Sequence, residues 1–169
     1  MRRRRVTEGL ERTRIPTNRG KHRLGRRCYC RSFQTPNRVT SSWEGSPLIT
    51  TLIVDDEGDI RTLVRLVVEA ADNGLQVVGE AADGTEALDR WHEHHPTVVV
   101  LDNRMPGLTG LQVAERILAE SAEQSIILFS AYLDDELVGE ARRVGIRRVL
   151  DKTQIDRLPQ ELWAMAEPA

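Results

Sequence analysis

From Leu48 onward the chain alternates between short β-branched runs and stretches with helical spacing, and that alternation limits the possible folds more than any other feature of it. Apolar runs occupy residues 48–54, 75–81, 97–101, 125–129 and 146–150. Between them Ile60, Leu63, Val64, Val67 and Val68 recur at helical spacing, as do Ala87, Leu88 and Trp91, then Leu111, Ala114, Ile117 and Leu118, then Leu137, Val138 and Ala141. Asn73-Gly74, Pro96 and Val144-Gly145 supply stops for the first, second and fourth of these helices. A last helix over roughly 153–166 turns Ile155, Leu158, Leu162 and Trp163 inward.

Strands that are apolar nearly throughout must be covered on both faces. The pattern therefore predicts an α/β fold, a flavodoxin-like (βα)5 doubly wound five-stranded parallel sheet with right-handed crossovers and helices on each side. Such sheets bind ligands beyond the carboxyl ends of their strands. Those ends carry Asp55, Asp56 and Glu57 after the first strand, Asp102 after the third, Ser130 after the fourth, and Asp151 and Lys152 after the fifth. Carboxylates gathered on one rim repel one another, so a divalent cation or the lysine must share the site, and hard oxygen ligands favour Mg²⁺ over zinc.

Four segments in order, Val54-Asp55-Asp56-Glu57, Leu101-Asp102-Asn103-Arg104-Met105-Pro106-Gly107, Phe129-Ser130-Ala131 and Leu150-Asp151-Lys152, resemble the receiver domain of bacterial two-component response regulators. Residues 77–88 are similar to the second strand and following helix start of the subgroup usually fused to a LuxR-type helix-turn-helix. The resemblance spans about 48–166. It implies that Asp102 is the phosphoacceptor for a sensor histidine kinase or phosphotransfer protein. It further implies that Asp56, Asp102 and the backbone carbonyl of Arg104 bind Mg²⁺ directly, with Asp55 acting through water. Lys152 and Ser130 would hold phosphoryl oxygens, Ser130 serving as the switch, while Arg104 and Tyr132 border the attacking water and tune dephosphorylation. In receivers the fourth helix, fifth strand and fifth helix form the face for output and homodimerisation, where Arg142, Arg143, Arg147 and Arg148 fall in this chain.

Two departures qualify the resemblance. The family's aromatic switch residue, three positions before the lysine, is here Val149, with which the usual coupled rotation of Ser/Thr and Tyr/Phe cannot occur. Only seventeen residues follow Lys152, so the expectation is a receiver acting alone, a signalling phosphoacceptor rather than an enzyme that turns over a separate substrate. An enzyme of the haloacid-dehalogenase kind would also use Asp102 and Mg²⁺, but its signature has a second Asp two residues later, where this chain has Arg104. A degenerate receiver serving as an interaction module also stays open.

Other polar clusters have plainer readings. Asp134-Asp135-Glu136 suits the start of the fourth helix, where acidic side chains complement the helix dipole. His92 and His95 are expected on one helix face near a solvated end, and Trp91 in the core.

Charge divides the chain in two. Residues 1–47 hold thirteen Lys/Arg against three Glu, a net of +10, whereas 48–169 hold eleven basic and 23 acidic residues, a net of −12. The first segment has no sustained apolar period and reads as a disordered basic extension, either inert or engaging nucleic acid through its arginines. Its Cys28 and Cys30 are a C-x-C pair with too few further ligands for zinc. No apolar run follows Arg2–Arg5 as a signal peptide requires, and none approaches the ~20 residues of a membrane helix. The cytoplasm is the expected compartment.

Overall fold

The computed structural model describes residues 48–71 and 74–166. The expectations for the basic extension 1–47, for its cysteines and for Asn73 as a helix stop lie outside these residues. The chain order is β1 (Ile49–Val54), α1 (Gly58–Ala70), β2 (Leu75–Ala81), α2 (Gly84–His94), β3 (Val98–Leu101), α3 (Gly110–Glu120), β4 (Ser125–Ser130), α4 (Asp135–Val144), β5 (Arg148–Asp151), a 3-10 segment (Lys152–Arg157) and α5 (Leu158–Ala166). All strand pairs are parallel, in the order β2-β1-β3-β4-β5. This is the predicted five-stranded flavodoxin-like sheet.

Alternation along each strand divides the core between two layers. Leu52, Val54, Val99, Leu101, Ile126 and Leu128 meet Trp91, Val113, Ile117 and Ala141, so α2, α3 and α4 cover one face. On the other face Ile49, Ile53, Val98, Val100, Ile127 and Phe129 meet Val64 and Val68 of α1 and Leu158 and Leu162 of α5. Each such aliphatic or aromatic side chain contributes about 1.5–3 kcal/mol on leaving water. Local chemistry fixes the helix starts. The Asp83 carboxylate accepts from the N–H groups of Thr85 and Glu86, Thr109 and Gln112 form a reciprocal capping box, and Asp134 accepts from the Leu137 N–H as its position in the sequence suggests.

Beyond shifts of one residue at strand ends, three features differ from the sequence reading. β5 begins at Arg148, not at 146: Gly145 ends α4 with φ 109°, and the Ile146 N–H turns back to the Ala141 carbonyl (2.9 Å), leaving Ile146 buried but unable to join the ladder. Residues 153–157 are 3-10 rather than α-helical. The Asp151 carboxylate holds the Thr153 N–H (2.8 Å) and hydroxyl (2.5 Å), and Gln154 leaves helical geometry. Finally, His95 is the left-handed cap of α2 (φ 44°), so it shares no helical face with His92. The His92 ring bonds instead to the Leu88 carbonyl (2.8 Å) and to Glu120 on α3 (2.9 Å). Trp91 is buried as expected, its indole N–H donating to Gln124 Oε1 (2.9 Å).

Candidate functional site

Parallel register brings the strand ends to a common rim. Val54 pairs with Leu101 and Leu101 with Leu128, while Ser130 pairs with Asp151, the residue before Lys152. Backbone bonds extend the ladder one residue further, from the Asp102 N–H to the Val54 carbonyl (2.8 Å) and from the Asp55 N–H to the Ala81 carbonyl (3.1 Å). The carboxylates are thus fixed to the sheet rather than to mobile loops. Asp55, Asp102 and Ser130 are 2%, 3% and 1% exposed, whereas Asp56, Glu57 and Arg104 are exposed around them. A cleft of about 190 Å³ is lined by Asp56, Glu57, Asp102, Arg104, Ser130, Ala131, Tyr132 and Lys152. At ~30 Å³ per water this admits a phosphoryl group together with several waters.

Lys152 supplies the positive charge nearest the buried carboxylates. Its Nζ stands 2.7 Å from Asp55 Oδ2, 3.4 Å from Asp102 Oδ1 and 4.0 Å from Glu57 Oε1. Burial works against the ammonium, yet Asp55 and Asp102 together hold its pKa above the ordinary lysine value. Asp102 moves the other way from what its cation alone would do. Burial pushes its carboxyl above the usual range, Lys152 opposes this, Asp55 adds repulsion, and the Arg104 N–H donates to Asp102 Oδ2 (3.0 Å) on the side that favours charge. The ionised Asp102 carboxylate is therefore held in an environment that does not fully compensate it.

The donor set suits a hard divalent cation. Carboxylate oxygens of Asp55, Asp56 and Glu57 lie within 4.8 Å of one another. Asp55 Oδ1 accepts from the Glu57 N–H (3.0 Å), while the buried Oδ2, although close to Lys152, has no well-aligned hydrogen-bond donor. Charge rather than alignment holds that contact, and an all-oxygen set with one under-bonded buried oxygen fits Mg²⁺ better than a softer metal.

At the mouth, the Arg104 guanidinium lies over the Tyr132 ring at 4.0 Å from its centroid, and the Tyr132 N–H reaches Ser130 Oγ at 3.5 Å. Arg142, Arg143, Arg147 and Arg148 are exposed elsewhere, and Arg142, Arg147 and Arg148 line a second cavity that includes Val149.

Glu57, which the sequence places on the rim without a role, stands 4.0 Å from Lys152, and two contributors escaped the sequence reading. Arg61 holds the Asp55 carbonyl with Nη1 (2.6 Å), a contact with no signature in the sequence. Gly110 packs against the backbone of Asp102 and Asn103, where a Cβ would overlap main-chain atoms. A glycine beside a Thr capping position, eight residues past the key aspartate, was the available sign.

The model of the response regulator receiver domain matches residues 51–162. The chemotaxis protein CheY of Listeria monocytogenes is 33% identical over 121 residues, 71% of this chain and all of that protein. A protein-glutamate methylesterase/protein-glutamine glutaminase of Myxococcus xanthus is 41% identical over 106 residues, 62% of this chain and 30% of that protein. Among solved structures, the signal receiver domain of the putative response regulator NarL from Mycobacterium tuberculosis superposes with a TM-score of 0.60 at 31% identity, covering 68% of this chain and 95% of that one.

Proposed function

Because the chain belongs to the response regulator receiver family, we propose that its domain over residues 48–166 accepts a phosphoryl group on Asp102 from a phosphohistidine of a sensor kinase or phosphotransfer protein in the cytoplasm. The observation that carries this reading is the buried Asp102 carboxylate facing Lys152 in a cleft edged by Asp56 and Glu57, with Asp55 holding the same lysine at 2.7 Å. An Asp102 oxygen attacks phosphorus, the P–N bond breaks, and the donor imidazole leaves with the electron pair and takes a proton. The product is an acyl phosphate.

Asp55, Asp56, Asp102 and the Arg104 carbonyl would hold Mg²⁺, which supplies charge neutralisation between an anionic nucleophile and an anionic phosphoryl group. Lys152 pairs with a phosphoryl oxygen as a point charge, relinquishing part of its hold on Asp55. Ser130 donates its hydroxyl to another oxygen, and that bond biases the β4–α4 connection toward the signalling state. Arg104 and Tyr132, stacked at the mouth, restrict the approach of hydrolytic water and so set the lifetime of the acyl phosphate. The domain catalyses only its own phosphorylation and dephosphorylation, and signals through the surface of α4, β5 and α5 to another protein or a second copy.

Intact mass after incubation with acetyl phosphate tests the proposal. One phosphoryl adduct, dependent on Mg²⁺, abolished by EDTA and lost in Asp102→Asn, is expected. The absence of any adduct in rapidly quenched wild-type samples, together with no binding of beryllofluoride, would show a degenerate receiver acting as a scaffold.

A further inference from the structure

Asp56 is the least supported group on the acidic rim. Its side chain is exposed and forms no hydrogen bond or ion pair among the described residues. Its direction is set by the backbone on either side. After it, the Glu57 N–H donates to Asp55 Oδ1 (3.0 Å). Before it, the Asp55 carbonyl, part of the peptide that leads into Asp56, accepts from Arg61 Nη1 (2.6 Å). The Asp55 N–H is committed to the Ala81 carbonyl (3.1 Å). Of these three bonds, the one from Arg61 is supplied by a side chain outside the turn.

The guanidinium occupies a place that does not favour a cation. Arg61 is the fourth residue of α1, near the end where the helix dipole is positive. Glu80 of β2 offsets this, with Oε2 3.4 Å from Arg61 Nε. The same carboxylate accepts from Arg65 Nε at Oε1 (2.6 Å), and Arg65 in turn reaches Glu69 (3.0 Å). Strand register sets Glu80 beside Ile53 of β1, two residues before Asp55. The Arg61 and Glu80 side chains are 20% and 30% exposed, so water screens their pairing less than that of a fully exposed bridge. A planar fork with donors on separate nitrogens can hold a carbonyl and a carboxylate at once, whereas an ammonium offers its donors from a single atom.

Two effects of Arg61 on a cation at this rim oppose each other. Its charge repels the ion, and its hydrogen bond orients a ligand in advance. Groups that orient metal ligands are typically worth about 10–100-fold in affinity, and Glu80 already neutralises much of the charge, so orientation prevails. We propose that Arg61 is a positioning residue for the divalent-cation site: braced by Glu80, it fixes the Asp55–Asp56 peptide and so presents the Asp56 carboxylate to the ion. The inference rests on the reading of this rim as the Mg²⁺ site and assigns the support of its exposed ligand.

The test titrates MgCl2 into the full, metal-free ¹⁵N-labelled chain and follows the amides of Asp56, Glu57 and Asn103, with urea midpoints in EDTA as a separate measure of the fold. Arg61→Met should raise the Kd for Mg²⁺ about tenfold, equivalent to about 1.4 kcal/mol. Arg61→Lys should recover no more than part of that loss, and Glu80→Gln should show a smaller loss in the same direction. Should Arg61→Met fail to fold, Glu80→Gln carries the test, its unchanged Kd overturning the proposal. Val68→Ala, a buried truncation on the same helix, should lower the urea midpoint and leave the Kd where it is. A rise in Kd matching that of Arg61→Met would mean that Arg61 acts only through the stability of α1, and would overturn the proposal. So would tighter binding by Arg61→Met with Arg61→Lys unchanged, the result expected if charge alone is felt. Intact mass after acetyl phosphate keeps the two readings apart. A wild type that binds Mg²⁺ and takes the adduct, with variants that bind the ion equally well, removes the positioning role alone. A wild type with neither adduct nor Mg²⁺ response removes the metal site and the role of Arg61 with it.

Discussion

Replacing Gly110 with alanine would drive a methyl group into the peptide that follows Asp102. The new Cβ would overlap the Asp102 carbonyl oxygen and lie 2.9 Å from both the Asp102 carbonyl carbon and Asn103 Cα. Ordinary carbon contacts begin near ~3.5 Å, so the α3 terminus and the β3 end must separate by at least about half an ångström. Neither side yields easily. Asp102 is tied to β1 by its N–H, the Gly110 N–H donates to the Asn103 carbonyl (3.1 Å), and the capping box beside it fixes the helix start. Overpacking typically costs ~1–3 kcal/mol, and a clash with backbone belongs at the upper end. For a domain of about 120 residues, with an unfolding entropy near 2.1 cal/mol/K per residue, ~3 kcal/mol corresponds to a Tm lower by about 12 °C. Gly107→Ala is the control. Its φ of +80° strains a Cβ, but nothing lies within 4 Å, so the cost should be nearer ~1–2 kcal/mol from left-handed backbone alone. Urea unfolding of both variants, with beryllofluoride binding as a readout of the cleft, checks the argument. A Gly110→Ala protein within ~0.5 kcal/mol of wild type, the scatter of unremarkable substitutions, would refute the close approach on which it rests.

Three further outcomes are expected. Lys152→Met leaves two buried carboxylates without their cation, so metal-free stability should fall by about 3–5 kcal/mol, with partial recovery in millimolar Mg²⁺; urea midpoints with and without the ion decide it. Asp102→Asn should make the metal-free protein more stable than wild type at pH 7 but not at pH 3. The raised folded-state pKa of Asp102 means that its contribution is present below the unfolded carboxylate value and lost as pH rises through the folded one, a loss the amide does not suffer; unfolding curves at the two pH values test the sign. The His92 imidazole, raised by its hydrogen bonds to Glu120 and the Leu88 carbonyl, should titrate above the ordinary histidine midpoint by NMR and move down in Glu120→Gln; an unmoved midpoint would exclude the contact in solution.

The architecture and the acidic rim were legible in the sequence because both depend on periodicities that a linear chain displays. Val98 to Leu101 is apolar on every residue, which only a strand covered on both faces permits, and Asp102 follows at the point where that cover ends. Asp55, Ser130 and Lys152 could be placed by the same logic. Contacts made by geometry rather than by residue type were hidden. Nothing near Ile146 reveals that its N–H returns to α4 instead of joining β4, and the helical spacing that links His92 with His95 conceals a left-handed cap. The 3-10 course of 153–157 follows from a side-chain bond made by Asp151, which competes locally with an otherwise acceptable helical pattern. Arg61 illustrates the limit most clearly, since a long side chain reaching a backbone carbonyl six residues away leaves no pattern to read.

The cleft divides its charges unequally over the sheet. Its carboxylates stand on β1 and β3, which are flanked by strands on both sides, whereas its lysine follows β5, a four-residue edge strand with one neighbour. Edges open at lower free energy than centres. Transient fraying of β5 would therefore withdraw the ammonium while leaving Asp55 and Asp102 in place, briefly stripping the carboxylates of the counter-charge that partly neutralises them. Cation uptake would then be tied to the breathing of one short strand, so that a partner clamping β5 slows the exchange of the ion without touching any group that binds it.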